Sequence, residues 1–173
     1  MIENWQTCFN HVMQSEGGYV WDKDDAGGET NHGVTKAAWA AYIGRPVHDG
    51  EMKALTLEEV EPFYKSRYWD VNKCDELPAG VDYVMFDFGV NAGVKRAAKF
   101  LQQALGVTAD GSIGEWTIEA ARNVNTQELI AAFSQVKDQF YRELVQKNPH
   151  DEKFLHGWLN RVASVQNTAD QMV

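Results

Sequence analysis

Long apolar runs are missing from this chain of 173 residues. No stretch of about eighteen residues is apolar throughout, so no transmembrane helix is expected. Cysteine is scarce: Cys8 and Cys74 could form one disulfide but no framework, and free buried thiols are expected for a chain made in a reducing compartment. Positive charge is thin as well. The formal net charge is −9 and no basic run is longer than Lys95-Arg96, which argues against a nucleic-acid or anionic-membrane surface. The five histidines show no zinc-ligand spacing and no H-E-x-x-H occurs, which disfavours a metallopeptidase or a zinc amidase. Met1-Ile2-Glu3-Asn4-Trp5 has neither a basic n-region nor an apolar h-region, so it does not read as a signal peptide. Synthesis in the cytosol is expected, with release by another agent if the target lies outside. There is no internal repeat and no low-complexity tract.

What the chain does have is aromatic residues: six Trp, six Tyr and eight Phe within a 44% apolar composition. That suits a folded protein of one compact domain, or one domain with a small appendage. Aromatics left over in a cleft would match the apolar faces of sugar rings.

Helical periodicity dominates. Trp5, Cys8, Phe9, Val12 and Met13 recur at the 3–4 spacing of one helix face, and Gly17-Gly18 supplies a stop. The polar, glycine-rich segment from Tyr19 to Gly33 reads as a β-hairpin or long loop, with turns at Asp24, Asp25, Gly27 and Gly28. Thr35 can cap a short helix carrying Ala37, Ala38, Trp39 and Tyr42, ended by Gly44 and Pro46. Thr56-Leu57-Glu58-Glu59 is a capping box, with Leu55 and Val60 as its staple, opening a helix with Phe63, Tyr64, Tyr68 and Trp69. Val81 to Val90, introduced by Pro78 and Gly80, is apolar nearly all round and predicts a buried central helix, on which Gly89 and Gly93 would permit close packing. Residues 94–105 predict an amphipathic helix, Thr126 caps a long one to about Val145, and a last helix starts near Glu152. The fold class is mainly α with a small β-hairpin around a buried central helix, a lysozyme-like α+β arrangement.

Glu16 is the leading candidate for chemistry. Trp5, Phe9, Val12 and Glu16 are spaced 4, 3 and 4, so Glu16 continues the apolar stripe instead of the solvent face. Apolar neighbours and the negative end of a helix dipole favour the protonated form of a carboxyl group, as a general acid for glycoside cleavage requires. Gly17 and Gly18 leave room beside it for a polymer. Asp25 follows nine residues later and Thr30 five beyond that, so a hairpin could bring both to face Glu16. Asp25 would then act as base or electrostatic partner and Thr30 would position water, although an Asp in a turn and a Thr in a strand are also ordinary.

A resemblance sharpens this reading. Glu16-Gly17-Gly18-Tyr19, the run Asp24-Asp25-Ala26-Gly27-Gly28-Glu29-Thr30-Asn31-His32-Gly33-Val34-Thr35, and Trp39 resemble the signature of glycoside hydrolase family 108, the N-acetylmuramidases of phage and prophage lysis cassettes. Tyr68-Trp69-Asp70, Leu77-Pro78 and Phe86-Asp87-Phe88-Gly89-Val90-Asn91-Ala92-Gly93 resemble the same catalytic region, expected over residues 1–93. Residues 94–173, with Asp110-Gly111-Ser112-Ile113-Gly114 and Trp158-Leu159-Asn160-Arg161, resemble the peptidoglycan-binding region that follows it. That region is expected to pack into the same globule, because Gly93-Val94-Lys95 has no linker character. The order Glu16, Asp25, Thr30 is also similar to the Glu–Asp–Thr arrangement of phage-type lysozymes, with a gap before the Thr one residue shorter. His32 stands where the family usually carries an aromatic residue.

The resemblance implies Glu16 as the catalytic acid, with Asp25 and Thr30 beside it and Tyr19, Asn31, Asp87 and Asn91 as candidate substrate-binding residues. It implies hydrolysis of the β-1,4 bond between N-acetylmuramic acid and N-acetylglucosamine, without metal or organic cofactor. The partner is bacterial peptidoglycan, engaged by a monomer of an endolysin type that reaches the periplasm and wall through a holin-like pore. A net charge of −9 would not steer such an enzyme to an anionic wall.

Other constellations carry less. Asp22-Lys23-Asp24-Asp25 fails as a calcium loop, because its fifth position is Ala26 and its twelfth Gly33. Neither cysteine sits in a nucleophile turn suited to a Cys–His amidase. Asp87 and Asn91, one turn apart on an apolar helix, must be hydrogen-bonded there, either tying the hairpin to the core or reaching substrate. The Asp110–Gly114 turn leads into a helix and has parallels in peptidoglycan-binding modules; Trp158 and Arg161 are expected to pack the last helix. Two rivals remain at this stage: a lytic transglycosylase, which closes a 1,6-anhydro ring, and a non-catalytic wall-binding or secretion-accessory protein that keeps the fold.

Overall fold

A computed structural model describes residues 4–21 and 28–173, and divides the chain into two compact units, one of residues 6–67 and the other of residues 4–5 and 68–173. The boundary at 67/68 falls inside the region that the resemblance assigns to catalysis. The chain passes between units inside its first helix and in a π-helical stretch at Lys65–Trp69.

The smaller unit holds most of α1 (Trp5–Ser15), which buries Cys8, Phe9 and Val12 as the periodicity requires. Where one hairpin was expected, three short antiparallel strands follow in the order β1 (Val20–Trp21), β2 (Glu29–Asn31) and β3 (Val34–Thr35). The third strand is hard to see in the sequence because it is two residues long and runs directly into a helix cap. Thr35 accepts a hydrogen bond from the Ala38 N–H at 3.2 Å and so opens α2 (Lys36–Ile43), which Gly44 ends in the left-handed conformation. One unforeseen turn, α3 (Glu51–Ala54), precedes α4 (Leu57–Tyr64). The capping box of α4 is complete: Thr56 accepts from the Glu59 N–H while Glu59 accepts from the Thr56 N–H. Phe9, Val12, Val34, Trp39, Met52, Val60, Phe63 and Tyr64 form the core of this unit.

The larger unit is built around α5 (Val81–Ala92), buried from Val81 through Gly89. Trp5, Trp69 and Phe86 meet edge-on, with centroids 5.2–5.7 Å apart. Gly80 starts α5 at φ +83°; a methyl group there would come within 2.6 Å of the Ala169 carbonyl oxygen, so only glycine allows this approach. Gly93 does not lie within the helix as expected. At φ +96° it ends α5 and turns the chain into α6 (Val94–Ala104). Next come α7 (Glu115–Arg122), α8 (Thr126–Lys147) and α9 (Glu152–Asp170). The cap of α8 is Asn125, not Thr126: its side chain accepts from the Glu128 N–H at 3.0 Å, and the helix runs two residues past Val145.

Phe88 of α5 stacks on Phe100 of α6 at 5.0 Å and meets Phe133 and Phe140 of α8 edge-on. Trp158 stacks on Tyr141 at 5.0 Å, packing α9 as anticipated. Both cysteines are buried.

Asp87, 1% exposed, accepts from Lys137 Nζ at 2.8 Å and from Arg161 Nη2 at 2.8 Å, joining α5 to α8 and α9. Burial alone would push its carboxyl up, but the two cations outweigh burial and hold it below the ordinary carboxylate range. Burial draws Lys137 down, against the pull of Asp87. A depressed carboxylate stabilises the fold above its unfolded value of about 3.9, and that contribution is lost as pH falls through the folded value. Asp87→Asn leaves Lys137 buried without its counter-charge and should cost about 3–5 kcal/mol at neutral pH. Urea unfolding at pH 7 and at pH 3 checks this: the gap between variant and wild type should shrink at the lower pH, and an unchanged gap would assign the loss to packing.

Candidate active site

Glu16 follows the last residue of α1, its N–H donating to the Met13 carbonyl at 3.3 Å, and its side chain is half-buried. Next to it Gly17 and Gly18 are exposed, and a methyl group on either would meet no atom of the described residues within 4 Å. The floor of the site comes from the turn between β2 and β3. Asn31 pairs with Val34, leaving His32 (φ 48°) and Gly33 (φ 75°) as a two-residue turn with both φ positive, the hand that suits strand twist. This brings the bare Cα of Gly33 against the Glu16 carboxyl group. A methyl group on Gly33 would lie 2.8 Å from Glu16 Oε2 and 2.5 Å from the Tyr64 hydroxyl.

The turn is fixed by three side chains. Tyr64 donates to the His32 carbonyl at 2.7 Å, His32 Nε2 lies 3.0 Å from the Leu55 carbonyl, and Asn31 Nδ2 donates to the Met52 carbonyl at 2.8 Å. Tyr64 in turn packs on Phe9 of α1, at 5.9 Å between centroids. Glu16, Gly33, His32 and Tyr64 therefore form one local arrangement. Neither Gly33 nor Tyr64 was singled out by sequence reasoning as a site residue. An aromatic at a core position of α4 looks like packing alone, and only the glycine directly after a left-handed residue hints at a close approach.

The other expected residues are distributed as follows. Asp25 lies outside the described residues. Thr30 occupies the middle of β2, opposite Val20 and Thr35, and shares their sheet face. Tyr19 turns to the other face, where its hydroxyl donates to Glu29 Oε1 at 2.8 Å and Lys36 donates to Glu29 Oε2 at 2.6 Å. Lys36 and then Tyr19 hold the Glu29 carboxyl below its ordinary range, while the bond to Glu29 raises the Tyr19 phenol. Tyr19, Trp21, Glu29, Lys36, Asp49 and Lys53 line a cavity of about 610 Å³ there.

Asn31 is 4% exposed, with its amide spent on the carbonyls of Met52 and Leu55, so it braces the turn. Of the two roles the sequence allowed Asp87, the structure shows the tie, made to α8 and α9 and not to the hairpin. Asn91 in the same unit is exposed, and its Oδ1 accepts the Tyr141 hydroxyl.

Residues 9–93 match the family model described as glycosyl hydrolase 108, and residues 96–163 match one described as a predicted peptidoglycan domain. Among solved structures the chain is similar to Brucella abortus SagA, at 34% identity and a TM-score of 0.84, over 99% of this chain and 97% of that one. No curated protein gives a significant match. With a helix-end glutamate set against a glycine turn, a mainly α lysozyme-like fold and these two matched regions, the chain belongs to glycosyl hydrolase family 108, a peptidoglycan-hydrolysing glycoside hydrolase with a peptidoglycan-binding region after its catalytic one.

Proposed function

We propose that the protein is an N-acetylmuramidase that hydrolyses the β-1,4 bond between N-acetylmuramic acid and N-acetylglucosamine, with Glu16 as general acid. The observation that carries this reading is the placement of the Glu16 carboxyl group. It stands where Gly33 has no side chain, beside the Tyr64 hydroxyl, while Gly17 and Gly18 leave open space for a polymer. Glu16 delivers its proton to the leaving glycosidic oxygen as the bond to the anomeric carbon breaks. Asp25 stabilises the developing positive charge or takes a proton from the attacking water, which Thr30 orients. Tyr64 and Gly33 position the acid without touching substrate. The proposed setting is that of a monomeric endolysin, made in the host cytoplasm and admitted to the wall by a holin-like pore.

Glu16→Gln keeps the shape of the side chain and removes the proton. Clearing of purified peptidoglycan should fall at least about 100-fold, with co-sedimentation on the wall retained. Equal clearing by variant and wild type would remove Glu16 from its role, and binding without clearing by the wild type would favour an accessory protein. Mass spectrometry of the products should find reducing muramic ends; anhydro ends would make the enzyme a transglycosylase.

Gly33→Ala forces a side chain into the left-handed region, at about 1–2 kcal/mol, and pushes on both Glu16 and Tyr64. Activity should drop on the order of 100-fold through displacement of the acid. Thermal melting read alongside the clearing rate separates this from simple unfolding: a folded variant with full activity would show that the close contact is incidental.

A further inference from the structure

The larger unit carries a cavity of about 530 Å³ at the start of α6, lined by Ala92, Gly93, Val94, Lys95, Arg96, Lys99 and Phe100. That size suits a small ligand. In a chain of net charge −9, three of the 16 Lys and Arg residues fall within five positions here, and no acidic side chain is among the described residues that line the cavity.

The guanidinium of Arg96 is held in place. Arg96 Nη1 donates to the Ala92 carbonyl at 3.1 Å, and its guanidinium lies 4.9 Å from the Phe140 ring centroid. The stems of Lys95 and Lys99 are gripped by the Asp110–Gly114 turn. At Gly111 (φ +82°) a methyl group would come within 2.8 Å of Lys95 Cγ and 3.2 Å of Lys99 Cγ. That turn is built around Gln102, 2% exposed. Its amide donates to Asp110 Oδ1 at 2.8 Å and to the Ser112 carbonyl at 3.0 Å, and its carbonyl accepts from the Gly111 N–H at 2.8 Å. Gln102, then the Ser112 N–H, hold the Asp110 carboxyl below its ordinary range, with Lys99 adding to the effect. Among the described residues of the cavity and that turn, three cations stand with one carboxylate. The Asp-Gly-Ser-Ile-Gly run is thus a clamp on two lysine stems, a purpose its sequence alone does not reveal.

We propose that this cavity binds the carboxylates of peptidoglycan stem peptides through Lys95, Arg96 and Lys99. The inference rests on peptidoglycan being the substrate and adds which part of it the helical region recognises. A stem peptide supplies several carboxylates for the cations and alanine methyl groups for Ala92, Val94 and the Phe100 ring. Charge-assisted hydrogen bonds from lysine and arginine to carboxylates are the stronger kind.

The probe is the tripeptide L-Ala-γ-D-Glu-meso-diaminopimelate, which has no glycosidic bond, titrated into full-length protein and followed by calorimetry and amide NMR. Saturable binding should shift amides of residues 92–100 and weaken with added salt. Both the Lys95→Gln/Lys99→Gln variant and a tripeptide with amidated carboxyl groups should bind about tenfold more weakly or worse. Gly111→Ala keeps every charge and should also weaken binding. Unchanged affinity in the double variant, no saturable binding by wild type, or inorganic phosphate binding as tightly as the tripeptide would each overturn the proposal. The two readings fail separately: clearing of the wall without tripeptide binding sinks this one alone, and tripeptide binding without clearing sinks the muramidase reading.

Discussion

A carboxylate in the middle of a buried helix cannot be left alone, and the requirement to neutralise Asp87 organises the larger unit. One buried lysine from α8 and one arginine from α9 converge on its two oxygens, so both helices are set against α5 in a single register. Leucine or phenylalanine at this position would be satisfied by many packings, whereas a charge is satisfied by few. Around that fixed point the Phe88 cluster and the Tyr141–Trp158 stack fill the remaining space. The same helix ends at Gly93, whose left-handed turn places the start of α6 and its basic cavity.

The smaller unit depends on a different constraint, which is steric. The Glu16 carboxyl stands where it does because position 33 lacks a Cβ, and position 33 is presented by a turn that few residue pairs can form. His32 accepts the left-handed conformation, and its ring Nε2 lies 3.0 Å from the Leu55 carbonyl. Asn31 and Tyr64 complete the bracing from opposite sides of the turn. The candidate site is thus made of one carboxyl group and several residues that hold the turn against it.

Much of this was legible in the sequence where a local rule applied. The capping box at Thr56, the cap at Thr35 and the buried run from Val81 each follow from short-range chemistry, and each formed as read. Helical spacing put Glu16 on the apolar stripe, and its half-buried place at the end of α1 agrees with that spacing. What escaped was set by partners distant in the chain. Whether Asn31 and Asp87 meet substrate or brace the fold depends on residues 21 and 50 or more positions away, which no window of sequence displays. The same holds for Tyr64, 32 positions from the carbonyl it holds. Short elements escaped for another reason: β3 and α3 contain too few residues to show a period.

The place of Trp5 has a consequence for how the chain folds. It belongs to the core of the larger unit, against Trp69 and Phe86, although the whole smaller unit intervenes in sequence. Asn4 beside it bonds to Asp82 across 78 positions. Closing so long a loop is entropically costly, and the cost falls once the intervening segment is already compact. The smaller unit is therefore an insertion whose own folding shortens the loop that Trp5 and Asn4 must close.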